Sequence, residues 1–476
     1  MPTFHIQSFG CRVNQAEAFG WALELQASGL AYAEDWNAAD LVVVNSCTLT
    51  ARADRDVRKF IHRVGRENPA ARLIVTGCYA EREGPALAAM PGVAAVLGNS
   101  EKPTLPAKVL SITYASGTAT GMKAAPPVSS RGAALLHGDV ATLSSRNLET
   151  LTPKHEAAEP KPDISPYRAR ALVKVQDGCD NRCTFCVIPS VRGRSSSVGA
   201  DYVAGCVRNL SARGYREIVL AGIHLSSWGK DLEPARSLTD LLRRIEAVEG
   251  LGRIRLSSLD PRRMDETFIG HVAGNPRVCQ HFHLSLQHAS EKILNRMGRG
   301  AGAGPEVYES ILSRLRELSP DAALGADIIV GFPGETGEDF AGLESFLRGS
   351  PLTYFHVFSY SSRAGTAAAR LPQVPDSLKK ARSRALRRLS AEKNLRFRES
   401  FAGRELEAVV IREMEMEPEP QDGPGGAVRK PASCELLTGN YIKVRVPTCP
   451  AAARELVRVR VARITSRSTE GVMASG

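Results

Sequence analysis

Alternating apolar and polar stretches divide the chain into segments of different character. In the first hundred residues, short apolar runs typical of strands (PTFHIQSFG, DLVVVNS and RLIVTG) alternate with stretches of helical spacing (NQAEAFGWALELQASG and TARADRDVRKFIHRVGREN). Strands separated by helices predict a parallel sheet covered by helices. We therefore interpret residues 1–115 as an N-terminal open parallel α/β domain.

The same alternation resumes on a larger scale between residues 166 and 400. Its strand-like runs are ALVKVQ, EIVLAG, RIRLSS, HFHLSL, GADIIVG and YFHVFSY, with helical stretches such as LTDLLRRIEAVEG between them. Six such units are too few for an eight-stranded barrel but suit an open, partial (β/α)6 barrel. Barrels of this kind carry their chemistry at the C-terminal ends of the strands.

Two further segments complete the α/β organisation. Residues 116–165 are rich in Ala, Ser and Pro without periodicity, which predicts a linker. Residues 401–476 contain short β-like runs (ELEAVVIRE, NYIKVRVPT and ELVRVRVARITS) that predict a small β-barrel of the kind that binds oligonucleotides. A purely structural barrel would give the same pattern.

Composition indicates a soluble globular protein. Of the 476 residues, 43% are hydrophobic and 24% charged, values that are ordinary for globular domains. The chain lacks an apolar run of about 18 residues, the length that spans a bilayer. Its start, MPTFHIQSFGCRVNQ, has neither the basic region nor the apolar core of a signal peptide. We expect no membrane association and a cytoplasmic location.

The charge balance favours a polyanionic partner. The formal net charge is +11, and residues 377–400 hold nine Lys or Arg against two Glu. Apolar residues in this segment recur near helical spacing, which predicts an amphipathic helix with a basic face. A merely solvated helix face is the alternative interpretation.

The strongest chemical signal is the Cys-x3-Cys-x2-Cys run formed by Cys179, Cys183 and Cys186, just past the first barrel strand. Three thiolates can hold three irons of a [4Fe–4S] cluster and leave the fourth iron without a protein ligand. A structural zinc site would need a fourth ligand nearby, and no fourth cysteine follows at zinc-site spacing. A zinc knuckle or incidental buried thiols remain the alternatives.

A second set of three cysteines occupies equivalent positions in the N-terminal domain. Cys11, Cys47 and Cys78 each follow one of the three predicted strands. Because ligands of open α/β sheets bind outside the carboxyl ends of the strands, we expect these thiols to converge on one site. That site suits a second [4Fe–4S] cluster with one open iron. Three separate small buried hydrophobes are the alternative.

The two cysteine sets and the blocks around them resemble the radical S-adenosylmethionine (SAM) methylthiotransferase family. That family joins an N-terminal three-cysteine domain, a radical SAM barrel and a C-terminal TRAM domain. The matching N-terminal blocks are GCRVNQAE, NSCTLT and TGCYAE, and the barrel blocks are VQDGCDNRCTFCVIPSVRGRSSS, RLSSLDP, LSLQHAS, DIIVGFPGET and FSYSSRAGT. GNYIKVRV resembles the TRAM core.

The resemblance implies two [4Fe–4S] clusters and SAM as cofactors. The barrel cluster would cleave SAM to a 5′-deoxyadenosyl radical, and the N-terminal cluster would present the sulfur that is transferred. Phe185, Asp260 and Gln287 are the implied SAM-binding residues, although Asp260 stands where the family usually has Glu. No catalytic residue is assigned beyond the six cluster cysteines.

Within the family, the GCRVN block resembles the subgroup that adds a methylthio group to C2 of N6-threonylcarbamoyladenosine at position 37 of tRNA. The expected partners are the tRNA anticodon loop, an electron donor and a sulfur source. The sequence identifies neither the electron donor nor the sulfur source, and it does not give the oligomeric state. The alternatives are action on isopentenyladenosine in tRNA, action on a ribosomal-protein aspartate, and a non-catalytic cluster-containing RNA-binding protein.

Overall fold

The computed structural model describes residues 1–115, 168–300, 304–414, 433–447 and 451–474. The linker that the sequence predicts at 116–165 lies outside the described residues. In the described ranges the chain forms an N-terminal parallel sheet, a central set of parallel strands with helices, and a closed C-terminal β-barrel. This is the α/β architecture that the sequence predicts.

The N-terminal domain is built on a five-stranded, all-parallel sheet with the order β2-β1-β3-β4-β5. The strands are β1 (Thr3–Ser8), β2 (Ala31–Tyr32), β3 (Leu41–Ser46), β4 (Arg72–Gly77) and β5 (Val93–Leu97), and the helices are α1 (Arg12–Ala27), α2 (Ala51–Glu67), α3 (Cys78–Ala88) and α4 (Leu105–Ala115). Every residue of β3 is buried, as its unbroken apolar run requires of a strand covered on both faces. Strands β1, β3 and β4 match the sequence prediction, whereas β2 and β5 are additional.

The central domain contains six parallel strands in chain order. They are β6 (Ala171–Asp177), β8 (Glu217–Gly222), β9 (Arg253–Leu256), β10 (His281–Gln287), β11 (Ala323–Val330) and β12 (Tyr354–Ser359), with the short antiparallel β7 (Ser196–Ser197) beside β6. Single bridges at Ile254–Val278 and Leu259–Leu284 join the β6–β9 sheet to the β10–β12 sheet. The predicted run of six strand–helix units is confirmed.

Helices follow the barrel strands. They are α5 (Ile188–Arg192), α6 (Ala200–Ala212), α7 (Leu238–Glu246), α8 (Glu266–Val272), α9 (Glu291–Arg296), α10 (Pro305–Leu318), α11 (Gly337–Gly349) and α12 (Asp376–Glu399). Helix α1 of the N-terminal domain also joins this core, because Val13, Ala16 and Phe19 pack with the apolar side chains of β6 and β8. Side chains of the two domains therefore meet in one hydrophobic cluster, and the N-terminal sheet has further apolar clusters of its own.

Helix α12 confirms the predicted basic helix but does not present all of its charge to solvent. Leu386 and Leu389 are buried, and so are Lys379 and Arg382. The guanidinium of Arg382 donates to a Glu335 carboxylate oxygen at 2.6 Å. Part of the basic charge in this segment therefore neutralises an internal carboxylate.

The C-terminal domain is a closed five-stranded barrel. Its strands are β13 (Glu405–Met414), β14 (Ser433–Thr438), β15 (Lys443–Val446), β16 (Leu456–Ile464) and β17 (Thr469–Met473), paired in the order β13-β14-β15-β17-β16. The sequence predicts β13, β15 and β16. Strands β14 and β17, which complete the closure, are additional to that prediction.

A buried charge cluster attaches the C-terminal barrel to the central domain. The Glu217 carboxylate, fully buried, accepts from Arg253 at 2.8 Å and from Arg255 at 2.7 Å. The same two guanidinium groups donate to the backbone carbonyls of three C-terminal residues, namely Leu437, Thr438 and Gly439. Burial alone would raise the pKa of the Glu217 carboxyl, but the two arginines hold it well below its usual range.

Tyr441, in the loop after β14, extends this attachment to all three domains. Its ring stacks on that of His281 with centroids 4.1 Å apart, and its hydroxyl accepts a hydrogen bond from Arg12 Nη2 at 2.6 Å. Arg12 belongs to the first turn of α1. One side chain of the last domain therefore contacts both the barrel and the N-terminal domain.

No helix in the described part of the chain has both the length and the apolar character that crossing a bilayer requires.

Glu217→Gln is expected to destabilise the protein by about 3–5 kcal/mol, because it removes the buried carboxylate that Arg253 and Arg255 share. The measurement is chemical denaturation of the full chain. Glu344→Gln serves as the control, since Glu344 pairs with Arg348 on an exposed helix face and exposed pairs contribute less than about 1 kcal/mol. Equal losses of stability in the two variants would contradict the importance of the buried cluster.

Candidate functional site

The sheet order brings the three N-terminal cysteines to one edge. Cys11 caps α1 after β1, Cys47 follows β3, and Cys78 begins α3 after β4. Because β1, β3 and β4 are adjacent and parallel, the three thiols emerge side by side. At Gly10, whose φ is 91°, a Cβ atom would lie 2.5 Å from the Cys47 Sγ, so only glycine fits beside that thiol.

Burial opposes ionisation of two of these thiols. It raises the pKa of Cys47 to about 12, with the neighbouring Cys11 and Cys78 adding to the shift, and it also raises the pKa of Cys11. All cysteines in the described ranges are free thiols. Three clustered, largely buried sulfur atoms form a donor set suited to an iron–sulfur cluster, and metal loading would release their protons.

The second cysteine set lies on the loop that follows β6. The backbone N–H of Cys179 donates to the Gly193 carbonyl at 3.1 Å, and that of Cys186 donates to the Cys183 carbonyl at 3.1 Å. The backbone of Thr184, within the triplet, donates to the Met297 carbonyl at 3.0 Å and accepts from the Ala368 N–H at 2.9 Å. Hydrogen bonds to backbone outside the triplet therefore hold this loop at Cys179 and at Thr184.

The two cysteine sets face each other. Cys78 packs with Ile188 and Val191 of α5 in a small apolar cluster that also includes Cys179 and Cys186. Burial raises the pKa of Cys186 to about 12, and other thiols of both triplets, Cys78 among them, add to that shift. Thiols of the N-terminal domain and of the barrel thus meet at one small apolar cluster between the two domains.

Asp260 follows β9 and is held by three cationic or hydrogen-bonding side chains. Arg262 Nη2 donates to its Oδ2 at 2.6 Å, His224 Nε2 lies 3.1 Å from the same oxygen, and Arg299 lies 3.4 Å from Oδ1. Burial would raise the pKa of this carboxyl, but His224, Arg262 and Arg299 hold it far below its usual range. The carboxylate is thus charged and orients two arginines near the triplet.

Phe185 and Gln287 lie at the same end of the barrel. The Phe185 ring meets that of Phe332 edge to face, with centroids 6.3 Å apart, so it anchors the cysteine loop to the segment after β11. Gln287 ends β10 at an irregularity in the pairing and has a φ of 74°. A non-glycine residue with such a φ is uncommon, and such residues cluster at functional sites.

A charged cluster between the two cysteine sets is absent from the sequence-based prediction. Arg192 ends α5, and its side chain contacts Glu17 and Asn14 of α1, Asp177 of β6, and the sulfur of Cys78. One signal in the sequence points to it: Glu17 falls among apolar positions of α1 that the helical spacing buries. Such a buried carboxylate requires cationic partners, but the spacing does not identify them.

Two family models and several known proteins are similar to this chain. Residues 3–98 match the family model described as "Uncharacterized protein family UPF0004", and residues 173–347 match the Radical SAM superfamily. Proteins named threonylcarbamoyladenosine tRNA methylthiotransferase MtaB are similar over most of the chain. The Aquifex aeolicus protein is 34% identical over 92% of this chain and 95% of its own length, and the Thermotoga maritima protein is 33% identical over 86% and 87%.

A solved structure supports the fold. The radical S-adenosylmethionine methyltransferase TsrM from Kitasatospora setae, determined with cobalamin and a [4Fe–4S] cluster bound, matches with a TM-score of 0.51. The match covers 78% of this chain and 77% of that chain at 17% identity, so it concerns the fold alone. Similarity to the MtaB proteins over nearly their whole length establishes that this chain belongs to the radical SAM methylthiotransferase family.

Proposed function

We propose that the protein adds a methylthio group to C2 of N6-threonylcarbamoyladenosine at position 37 of tRNA. The observation that carries the proposal is the contact between Cys78 and the barrel residues Ile188 and Val191, which sets two thiol triplets against each other. The names of the MtaB relatives supply the nucleoside. Transfer of sulfur to an unactivated carbon needs both a radical generator and a sulfur-presenting centre within one cavity.

Two [4Fe–4S] clusters would occupy these triplets. One would be held by the barrel cysteines, Cys179, Cys183 and Cys186. The other would be held by the N-terminal cysteines, Cys11, Cys47 and Cys78. When bound, the clusters and SAM supply a 5′-deoxyadenosyl radical for hydrogen abstraction and the sulfur and methyl groups that replace the hydrogen. The donor sets fit, because each brings three thiols together: the N-terminal thiols directly follow three adjacent strands, and the barrel thiols lie on one hydrogen-bonded loop.

The protein's own residues would orient the SAM beside the barrel triplet. Phe185 would shield the cysteine loop through its contact with Phe332. The Gln287 side chain would offer hydrogen bonds from the end of β10. Asp260 would act mainly by fixing the guanidinium groups of Arg262 and Arg299, since those groups already occupy its oxygens.

The RNA would be held by basic surfaces around the C-terminal barrel, which we propose is a TRAM domain. A cavity of about 720 Å³ lies between this barrel and α12. Its basic lining residues are Arg387, Arg398, Lys443, Arg445 and Arg467. Such positive charge suits phosphate contacts, which supply much of nucleic-acid affinity. We place the reaction in the cytoplasm, with a separate electron donor and sulfur source.

The reconstituted enzyme is expected to modify tRNA that carries N6-threonylcarbamoyladenosine and not tRNA that carries isopentenyladenosine. Mass analysis of nucleosides after incubation with SAM and a reductant would detect the added methylthio group. Ribosomal protein serves as a third substrate. Modification of isopentenyladenosine or of a protein aspartate in place of the first substrate would reject the assignment.

Cys183→Ala is expected to abolish SAM cleavage, and Cys47→Ala is expected to retain cleavage but to stop methylthio transfer. Iron analysis of anaerobically purified protein should give about eight irons per wild-type chain and about four per chain in either variant. Cys206→Ala, which alters a buried thiol of α6 in neither triplet, is the control. Normal methylthio transfer by the Cys47 variant would contradict the two-cluster scheme.

Reversing charge at Arg387 and Arg388 is expected to weaken tRNA binding and to lower the slope of log affinity against log salt by roughly one for each phosphate that the variant no longer neutralises. Both residues are exposed on α12, with the Arg388 side chain 79% accessible. Arg243→Glu, on α7, is the matched control. An unchanged salt slope in the double variant would show that this helix face is only solvated.

A further inference from the structure

We propose that Arg192 is a positioning residue that joins the two cysteine sites and tunes the reduction potential of a cluster held by Cys11, Cys47 and Cys78. The inference rests on the proposed function, because it requires that the N-terminal triplet binds a cluster. It adds a role for a residue that lies in neither triplet.

The Arg192 side chain is only 1% exposed, and all three of its nitrogens donate hydrogen bonds. Nε donates to the Cys78 sulfur at 3.1 Å, and Nη1 donates to the two Asp177 oxygens at 2.8 and 2.9 Å. Nη1 also reaches Glu17 at 3.1 Å, and Nη2 donates to Asn14 Oδ1 at 2.5 Å. The guanidinium therefore spans from the barrel strand β6 to the N-terminal helix α1.

The same network reaches a second thiol. The Asn14 oxygen that accepts from Arg192 also lies 3.7 Å from the sulfur of Cys11, whose thiol donates to it. While Cys11 is protonated, Arg192 thus contacts one cysteine of the N-terminal triplet directly and a second through one amide. A cluster-bound Cys11 thiolate has no proton to donate, so the direct contact with Cys78 is the one that acts on a loaded site. The guanidinium of Arg192 is planar and has five N–H donors, so it can bond to all of these acceptors at once. A lysine ammonium, which is a compact charge on a flexible stem, cannot do so.

The charges around Arg192 do not balance while the thiols are protonated. Three cations (Arg192, Lys102 and Lys174) surround two carboxylates (Glu17 and Asp177), with Lys102 2.6 Å and Lys174 3.3 Å from Glu17. One positive charge is therefore in excess in a buried region beside the sulfur atoms. Thiolates bound to a cluster would supply the missing negative charge, so the network is suited to a loaded site.

The backbone next to Arg192 fixes the other cysteine set. The carbonyl of Gly193 accepts the Cys179 N–H, and Gly193 adopts a φ of 74° to turn the chain after α5. Gly178, just before Cys179, packs so closely that a Cβ atom would lie 1.8 Å from the Arg194 carbonyl oxygen. One short segment therefore positions a thiol of each triplet.

A donor hydrogen bond and a positive charge at a ligating sulfur favour the reduced, more negative form of a cluster. Removing them is therefore expected to make the N-terminal cluster harder to reduce. Arg192→Gln should shift its midpoint potential to more negative values. Arg192→Lys, which keeps the charge but fewer hydrogen bonds, should give an intermediate shift.

The measurement is a redox titration of the full chain followed by electron paramagnetic resonance. The parent protein for this experiment carries Ala in place of Cys179, Cys183 and Cys186, so that only the N-terminal cluster contributes to the signal. Arg194→Gln in the same background is the matched control, because the Arg194 side chain is 95% exposed. It should leave the potential unchanged. Iron content reports whether each variant retains the cluster.

Equal potentials in the parent and in Arg192→Gln would overturn the inference. If Arg192→Gln loses its iron, the lysine variant decides: a retained cluster with a shifted potential supports the inference, and an unshifted potential overturns it. Iron loss in both Arg192 variants also overturns it, because Arg192 would then be needed to hold the site together and not to tune it. If the parent itself holds no iron, the proposed function fails instead, so the two failures are distinguishable.

Discussion

The structure depends on a buried charge cluster centred on Glu17 and Arg192. Burial would raise the pKa of the Glu17 carboxyl, but Arg192, Lys102 and Lys174 hold it well below its usual range. Burial would also raise the pKa of Asp177, but Arg192 and Lys174 lower it to about 2. Breaking one member of such a cluster costs far more than a surface pair contributes, so its geometry selects a single relative placement of the domains. In that placement the two cysteine triplets, which belong to different domains, face each other.

The second polar centre, around Glu217, performs the same task at the other end of the barrel. Its arginines donate to three backbone carbonyls of the C-terminal domain, and Arg253 also donates to the Glu407 carboxylate at 3.3 Å. This contact therefore depends mainly on the path of the chain. Tyr441 then meets Arg12, the residue directly after Cys11. A domain proposed to bind RNA is thus in hydrogen-bond contact with the first turn of the helix that starts at a proposed cluster ligand.

Much of this architecture is accessible from sequence, because strands β1, β3 and β4 and the six barrel strands carry recognisable patterns. Some are apolar runs, as in β3, and others alternate apolar with polar residues, as in β1 and β10. The convergence of Cys11, Cys47 and Cys78 follows from topology, since a parallel sheet places equivalent strand ends together. Strand β2 is not predictable in this way, because two residues carry no periodicity. The Arg192–Glu17 contact cannot be predicted from sequence for another reason. It joins residues 175 positions apart, and many other arginines of the chain could equally pair with a buried carboxylate. Sequence shows that a buried carboxylate needs partners, but only the packing of α1 on β6 shows which ones.

The backbone carbonyls that accept hydrogen bonds from Arg253 and Arg255 affect how the chain folds during its synthesis. Leu437 lies 184 positions after Arg253 in the chain, so during synthesis the barrel strands emerge from the ribosome long before these acceptors exist. Until then, of the hydrogen-bond partners described above, the two guanidinium groups have only the Glu217 carboxylate. A nascent chain that stops short of Leu437 would therefore leave both guanidinium groups without their carbonyl acceptors, at a site that the complete chain buries.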